Sequence, residues 1–185
     1  MLNAEYWRDM NKIFLIGFMG AGKTHWGKRL ASGKGCAFAD TDTETERTAD
    51  APVSAIFEAS GEAGFRLLER ESLRRLCADP RPMIVATGGG LPCFFDNMDQ
   101  MRRHGCTIYL KMPVTVLAER IGQAQTQRPL LNGLTADTLP PFIEQRLAAR
   151  APWYEQAHEI VEYDSDESVF LEHLLAAISN HPFPA

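Results

Sequence analysis

The sequence predicts an α/β domain wound round a parallel sheet. Short apolar runs alternate with stretches of helical period from end to end, glycine clusters follow the first and third of these runs, and an Asp-Thr-Asp follows the second. Strands that alternate with helices and are apolar along their length belong to parallel sheets covered on both faces. Ligands in such folds bind beyond the carboxyl ends of the strands, where the glycines and the aspartates fall.

The first strand is Lys12–Ile16, followed by a glycine-rich turn and a helical stretch from Lys23 to about Ser32. Cys36–Ala39 is a second short strand ending at Asp40-Thr41-Asp42. Helical segments follow around Glu44–Thr48 and Val53–Ala59. Gly61 separates them from a stronger helix, in which Phe65, Leu68, Ser72, Leu73 and Leu76 recur at about helical period. Met83–Thr87 is the third strand, closed by Gly88-Gly89-Gly90. Gln100–His104 reads as a helix end stopped by Gly105, Cys106–Lys111 as the fourth strand, and Val114–Ile121 as a helix entered through Pro113. Gly122 to Asp137 is polar, glutamine-rich and weakly periodic, and so long a loop is usually functional or disordered. Leu139, Phe142, Ile143, Arg146, Leu147 and Arg150 mark another helix. Glu159–Tyr163 is the fifth strand and Val169–Ile178 a closing helix. The tail 180–185, with two prolines, is expected to fray.

At 185 residues the chain has the length of a single domain, enough to bury a core without a disulfide or metal staple. Its 24 acidic residues exceed 19 lysines and arginines, for a formal charge of -5. That argues against a nucleic-acid clamp, which needs a basic face, but not against an anionic small substrate held by a few arginines. The longest apolar run, Ile13 to Ala21, falls short of the ~20 residues of a membrane span, and Glu5, Arg8 and Asp9 do not suit a signal peptide. Cys36, Cys77, Cys93 and Cys106 form no C-x-x-C pair, and the histidines are scattered. The expectation is a reduced, cytoplasmic protein with no zinc, nucleic-acid or membrane partner.

Gly17-Phe18-Met19-Gly20-Ala21-Gly22-Lys23-Thr24 fits the phosphate-loop pattern, with the strand before and helix after that the motif requires. Its backbone N–H groups would turn inward round phosphate oxygens at the positive end of a helix. Lys23 would reach the β and γ phosphates and the Thr24 hydroxyl would ligate Mg²⁺. Asp40 and Asp42, at spacing i, i+2, point to one side if the strand conformation persists. One would then hold Mg²⁺ and the other accept from substrate hydroxyls; the rival reading is an ordinary helix-capping pair. Gly88-Gly89-Gly90 offers bare backbone where a ligand comes close. Arg66 and Glu69 are the polar members of an apolar helix face. They suit a bidentate carboxylate clamp and its orienting acid, or else a surface i, i+3 ion pair. Arg150, before Ala151-Pro152-Trp153-Tyr154, invites the same two readings.

The phosphate loop, Asp40-Thr41-Asp42, Phe65-Arg66-x-x-Glu69, Gly88-Gly89-Gly90, Arg128-Pro129-Leu130-Leu131 and Arg150-x-x-x-Tyr154 follow one another as in the shikimate kinases. From Lys12 to Tyr154 the chain resembles that family, and the glycine triplet with the Phe-Arg-x-x-Glu and Arg-Pro-Leu-Leu motifs makes the resemblance specific. It implies a three-layer P-loop kinase fold with a five-stranded parallel sheet, in one domain spanning residues 1–185. Within it lie a substrate-binding helical segment at about 42–70 and a mobile lid at about 122–137. The implied activity is transfer of the ATP γ-phosphoryl to the 3-hydroxyl of shikimate, on the route to chorismate and the aromatic amino acids, by a monomer using Mg²⁺.

Residue by residue, the resemblance makes Lys23, Asp42 and Arg128 catalytic. Gly20, Ala21, Gly22, Lys23, Thr24, His25, Arg120 and Arg128 would bind the nucleotide, with Arg120 facing adenine. Asp42 would bind the shikimate hydroxyls and assist deprotonation. Arg66, Arg150 and the backbone of Gly88, Gly89 and Gly90 would hold the substrate, chiefly its carboxylate, and Phe57 and Phe65 would line the ring pocket. Thr24 and Asp40 would serve the metal. Where the family usually has Lys-Ser-Thr, this chain has Lys23-Thr24-His25. The metal's hydroxyl is kept, and His25 is expected to pack or to edge the nucleotide. A gluconate kinase of the same architecture and a silent nucleotide-binding regulator are the alternatives, although every matched catalytic position is filled.

Overall fold

The computed structural model describes residues 11–123 and 135–181. Its five strands are β1 (Lys12–Ile16), β2 (Ala37–Asp40), β3 (Met83–Ala86), β4 (Gly105–Lys111) and β5 (Glu159–Glu162). All pair in parallel, in the order β2-β3-β1-β4-β5. The described helices are α1 (Lys23–Lys34), α2 (Thr41–Ala49), α3 (Val53–Ala78), α4 (Asn97–His104), α5 (Val114–Gln123), α6 (Leu139–Tyr154) and α7 (Glu167–Ser179). None is long and apolar enough to cross a membrane.

Side chains of β1 alternate between the faces of the sheet, and the core divides accordingly. Ile13 and Leu15 join a cluster with Trp26, Leu30, Ile108, Leu117, Ile143 and Phe170. Phe14 and Ile16 join another with Leu73, Val85, Met98, Tyr109 and Tyr154. Each cluster lies between the sheet and one of the two outer helical layers of a three-layer domain. Burial along the whole strand holds for β1 and β3 and for all of β4 but its last residue, whereas β5 exposes Ile160 and Glu162 and β2 is only partly covered. Edge strands have one neighbour and need less cover. At the foot of β1, the fully buried Lys12 donates from Nζ to the carbonyls of Asp79 and Arg81 at 2.6 and 2.8 Å.

One local expectation needs correction and another a refinement. Strand conformation does not persist through Asp42: the strand ends at Asp40, whose carboxylate accepts the Asp42 N–H at 3.0 Å and caps α2, so Asp42 lies in the first turn of that helix. Capping and a place in the site thus coexist at Asp40. Gly105 does stop α4 after His104, its N–H bonded to the Met101 carbonyl, but in extended and not left-handed conformation. It begins β4 in extended conformation, and a side chain there would overlap the Lys12 carbonyl across the sheet. Gly61 does break α3, at φ 65° and ψ -173°.

The chain leaves the central strand β1 for β2 at one edge, returns to β3, and then crosses β1 to reach β4. Its order therefore reverses at β1. The loops after β1, β2 and β3 meet at their carboxyl ends around that point, where open α/β sheets bind ligands.

Candidate active site

Gly17 leaves β1 with φ 141°, so close to β4 that a Cβ would stand 2.8 Å from the Leu110 carbonyl. Gly22 caps α1 at φ 86°; no side chain caps that helix and no acid occupies its first turn. The opening N–H groups of α1 and its positive dipole end are left to an anion. Lys23, only 8% exposed, lies back across the loop and donates to the carbonyls of Gly17 and Phe18, both at 2.8 Å. Thr24 Oγ1 donates to Asp40 Oδ2 at 2.7 Å, which joins the two expected metal ligands.

Beside this loop is a cleft of about 560 Å³ whose walls include Asp42, Phe57, Phe65, Arg66, Gly88, Gly89, Gly90 and Arg150. All the residues expected to hold substrate therefore border one space. The rings of Phe57 and Phe65 stand 4.6 Å apart on one wall. Arg66 Nη1 donates to Glu69 Oε2 at 2.8 Å, while Nε and Nη2 donate to Glu62 Oε1 at 3.3 and 3.0 Å. Arg150 Nη1 donates to the Gly89 carbonyl at 3.2 Å, and its guanidinium lies 5.1 Å from the centre of the Phe18 ring.

The glycine triplet admits the site's own charged groups as well as a ligand. A Cβ on Gly88 would stand 2.5 Å from both Asp42 Oδ1 and Glu69 Oε1, and one on Gly90 would stand 2.7 Å from Arg66 Nη2. Two carboxylates and a guanidinium thus converge on bare backbone. Burial pushes the Glu69 carboxyl up to about 7, against the pull of Arg66 and with the Asp42 carboxylate adding to the rise. For Arg66, burial works against the charge, but Glu69 and Glu62 outweigh it and hold its pKa above the ordinary arginine value.

The comparisons with known proteins agree with this geometry. The family model described as shikimate kinase matches residues 19–179. A shikimate kinase of Bacteroides thetaiotaomicron is 44% identical over 158 residues, 85% of this chain and 89% of its own. A crystal structure of shikimate kinase from Bacteroides thetaiotaomicron superposes with a TM-score of 0.85 at 40% identity, covering 91% of this chain and 98% of that one. A shikimate kinase from Acinetobacter baumannii, solved in complex with shikimate, gives 0.82 at 31% identity, with 96% and 98% covered.

The chain belongs to the shikimate kinase family.

Against the family's pattern, the nucleotide side is where this chain departs. His25 is exposed and meets Trp26 edge-on, the ring centres 5.1 Å apart; Trp26 in turn packs on Phe170 at 5.1 Å. Arg120 donates from Nη1 to the Gly20 carbonyl at 3.3 Å and lies 5.6 Å from the centre of the Tyr163 ring. Neither borders the cleft; both flank the phosphate loop. Arg128 and most of the expected lid lie outside the described residues. Several contributors had no assigned role in the sequence. Phe94 places its ring 4.2 Å from the Arg66 guanidinium, the Thr41 hydroxyl accepts the Gly88 N–H at 2.7 Å, and the Tyr154 hydroxyl donates to Gly89. For a shikimate kinase the signal for Tyr154 was its place in the Arg150-x-x-x-Tyr154 motif. Phe94 gave no signal.

Proposed function

We propose that the chain transfers the γ-phosphoryl group of ATP to the 3-hydroxyl of shikimate, a step of the shikimate pathway to the aromatic amino acids. The observation that carries this reading is the pairing of a phosphate loop with a cleft that holds two arginines, bare glycine backbone and Asp42. Such a cleft suits a carboxylated, hydroxylated ring. Phosphoryl transfer asks a protein for positioning and charge more than for covalent chemistry, and these residues supply both.

The first N–H groups of α1 and Lys23 hold the nucleotide's phosphates. Lys23 gives up its loop carbonyls to do so, and follows the negative charge that shifts during transfer. Asp42 orients the substrate hydroxyl and takes its proton. Arg66 and Arg150, with the Gly88–Gly90 backbone, hold the carboxylate. The Nε–Nη2 edge of Arg66, held by Glu62 whose side chain is 59% exposed, is the edge open to exchange. Phe57 and Phe65 exclude water along one face of the ring. The Thr24 and Asp40 pair fits Mg²⁺, which takes one or two carboxylates beside substrate phosphates and water. When bound, the ion neutralises phosphate charge. Arg120 and His25 serve the nucleotide, and Arg128 and the lid around it serve the transferring phosphate. The chain acts as a single domain and a monomer.

The test is a coupled assay of ADP release with shikimate, with gluconate and with neither. Release with gluconate and not with shikimate would overturn the reading. Release with neither would make the chain a nucleotide-binding regulator.

A further inference from the structure

Three consecutive glycines have no side chains to fix them, and glycine backbone is the most freely rotating there is. A strip that must hold a ligand in one geometry therefore needs to be held from outside. Gly88 is held at its N–H by the Thr41 hydroxyl and at its carbonyl by the Leu91 N–H at 3.1 Å. The Gly90 carbonyl accepts the Cys93 N–H at 2.9 Å. The middle of the strip is held differently. The Gly89 carbonyl accepts from the hydroxyl of Tyr154 and from Arg150 Nη1, two donors one turn apart at the end of α6.

Tyr154 is fully buried, and its ring pairs with that of Tyr109 at 5.0 Å within the core cluster beneath the site. Burial raises its phenol well above the ordinary range, so the hydroxyl stays a donor wherever the protein is folded. The peptide joining Gly89 to Gly90 is rigid and planar, with the oxygen of one and the N–H of the other on opposite edges. Pinning the oxygen towards α6 fixes the direction of the Gly90 N–H. The same hydroxyl relieves Arg150: the carbonyl has a second donor, and the arginine's other N–H groups can turn to a ligand.

We propose that Tyr154 is a positioning residue for the carboxylate end of the substrate, acting through the Gly89–Gly90 peptide and Arg150. The inference rests on reading the cleft as the shikimate site. It goes beyond that reading by giving the buried phenol a share in substrate affinity rather than in the fold alone.

The test is Tyr154→Phe, which keeps the ring and its packing and removes only the oxygen. Shikimate KM should rise about tenfold, the equivalent of one neutral hydrogen bond, with kcat changed less than twofold and ATP KM unchanged. Tyr109→Phe, which removes the other phenol of the pair without touching Gly89, should leave shikimate KM at the parent value. An unchanged shikimate KM in Tyr154→Phe, or equal changes in both substrates' KM and in kcat, would overturn the proposal. If that variant does not fold, a crystal structure of the parent with shikimate decides. The Gly90 N–H on the ligand, with the Gly89 oxygen still on Tyr154, supports the proposal; a flipped peptide refutes it. Calorimetry of shikimate on the parent keeps the two failures apart, since absent binding there would sink the reading of the cleft itself.

Discussion

Replacing Glu69 by Gln asks which of two opposing effects sets the charge of the buried acid. Glu69 is fully buried, with one carboxylate oxygen on Arg66 Nη1 at 2.8 Å and the other without a partner among the described residues. Burial favours the neutral acid and Arg66 the carboxylate; the balance leaves the pKa at about 7 against an ordinary 4.5. A folded-state pKa above the unfolded one means that the folded chain holds the proton more tightly. The stability this gives is complete below the unfolded pKa and is lost as pH rises through the folded one. A rise from 4.5 to about 7 corresponds to about 3 kcal/mol.

Gln keeps the shape and a carbonyl for Arg66 but cannot titrate. The stability of the parent minus that of Glu69→Gln should therefore be greatest near pH 4.5 and fall by about 3 kcal/mol towards pH 8. Urea unfolding of both proteins across that range measures it, and the titrations they share cancel in the difference. A difference that stays constant would mean that Glu69 does not titrate abnormally. One that grows with pH would mean that Arg66 prevails over burial and holds the acid charged.

Lys23→Ala should fold normally and lose at least ~10²-fold in turnover, checked by circular dichroism beside the coupled assay; activity near the parent's would remove the phosphate-loop role. Asp42→Asn should abolish turnover while ATP still binds by calorimetry, because the amide keeps the shape but cannot take a proton. Loss of ATP affinity with turnover would move Asp42 to the metal instead. Arg66→Lys and Arg150→Lys keep the charge but not the planar fork, and should mainly raise shikimate KM. Both should match the parent on an analogue lacking the carboxylate, and a persisting defect there would assign them to the fold. Arg128→Ala should lower turnover by roughly 10²-fold or more with little change in shikimate affinity, as measured by kinetics and calorimetry side by side.

The legible parts were those whose cause is local. Strand, glycine turn and Lys-Thr lie within a dozen residues of one another, so the phosphate loop could be read directly. Bounds drifted by up to three residues where caps decide them: α2 starts at Thr41, not Glu44, because Asp40 caps it, and polar residues there carry no apolar period. Asp40 and Asp42 were singled out for a geometry they do not have. They belong together because one caps the helix that carries the other. Contacts between distant segments carry no local signal: they were reached only through the family's motifs, as with Tyr154, or not at all, as with Phe94. Phe94 reaches Arg66 across 28 positions, and Tyr154 reaches Gly89 across 65.

Arg66 shows why two rival readings of one residue can both be partly right. The plainer account was a surface i, i+3 ion pair with Glu69; that pair forms but is buried, and the exposed partner is Glu62 at i-4, which the sequence had not singled out. The buried clamp was the sharper account, and Glu69 at i+3 lies on the buried side of the same guanidinium. An exposed pair contributes little and exchanges readily. A buried one resists the loss of either partner, because a charge would be left without compensation. An arginine with one partner of each kind is fixed in place along one edge and exchangeable along the other. On the proposed reading, Arg66 must keep its position while accepting and releasing a carboxylate in each turnover; that needs both properties, and the i-4 and i+3 spacings on one helix provide them.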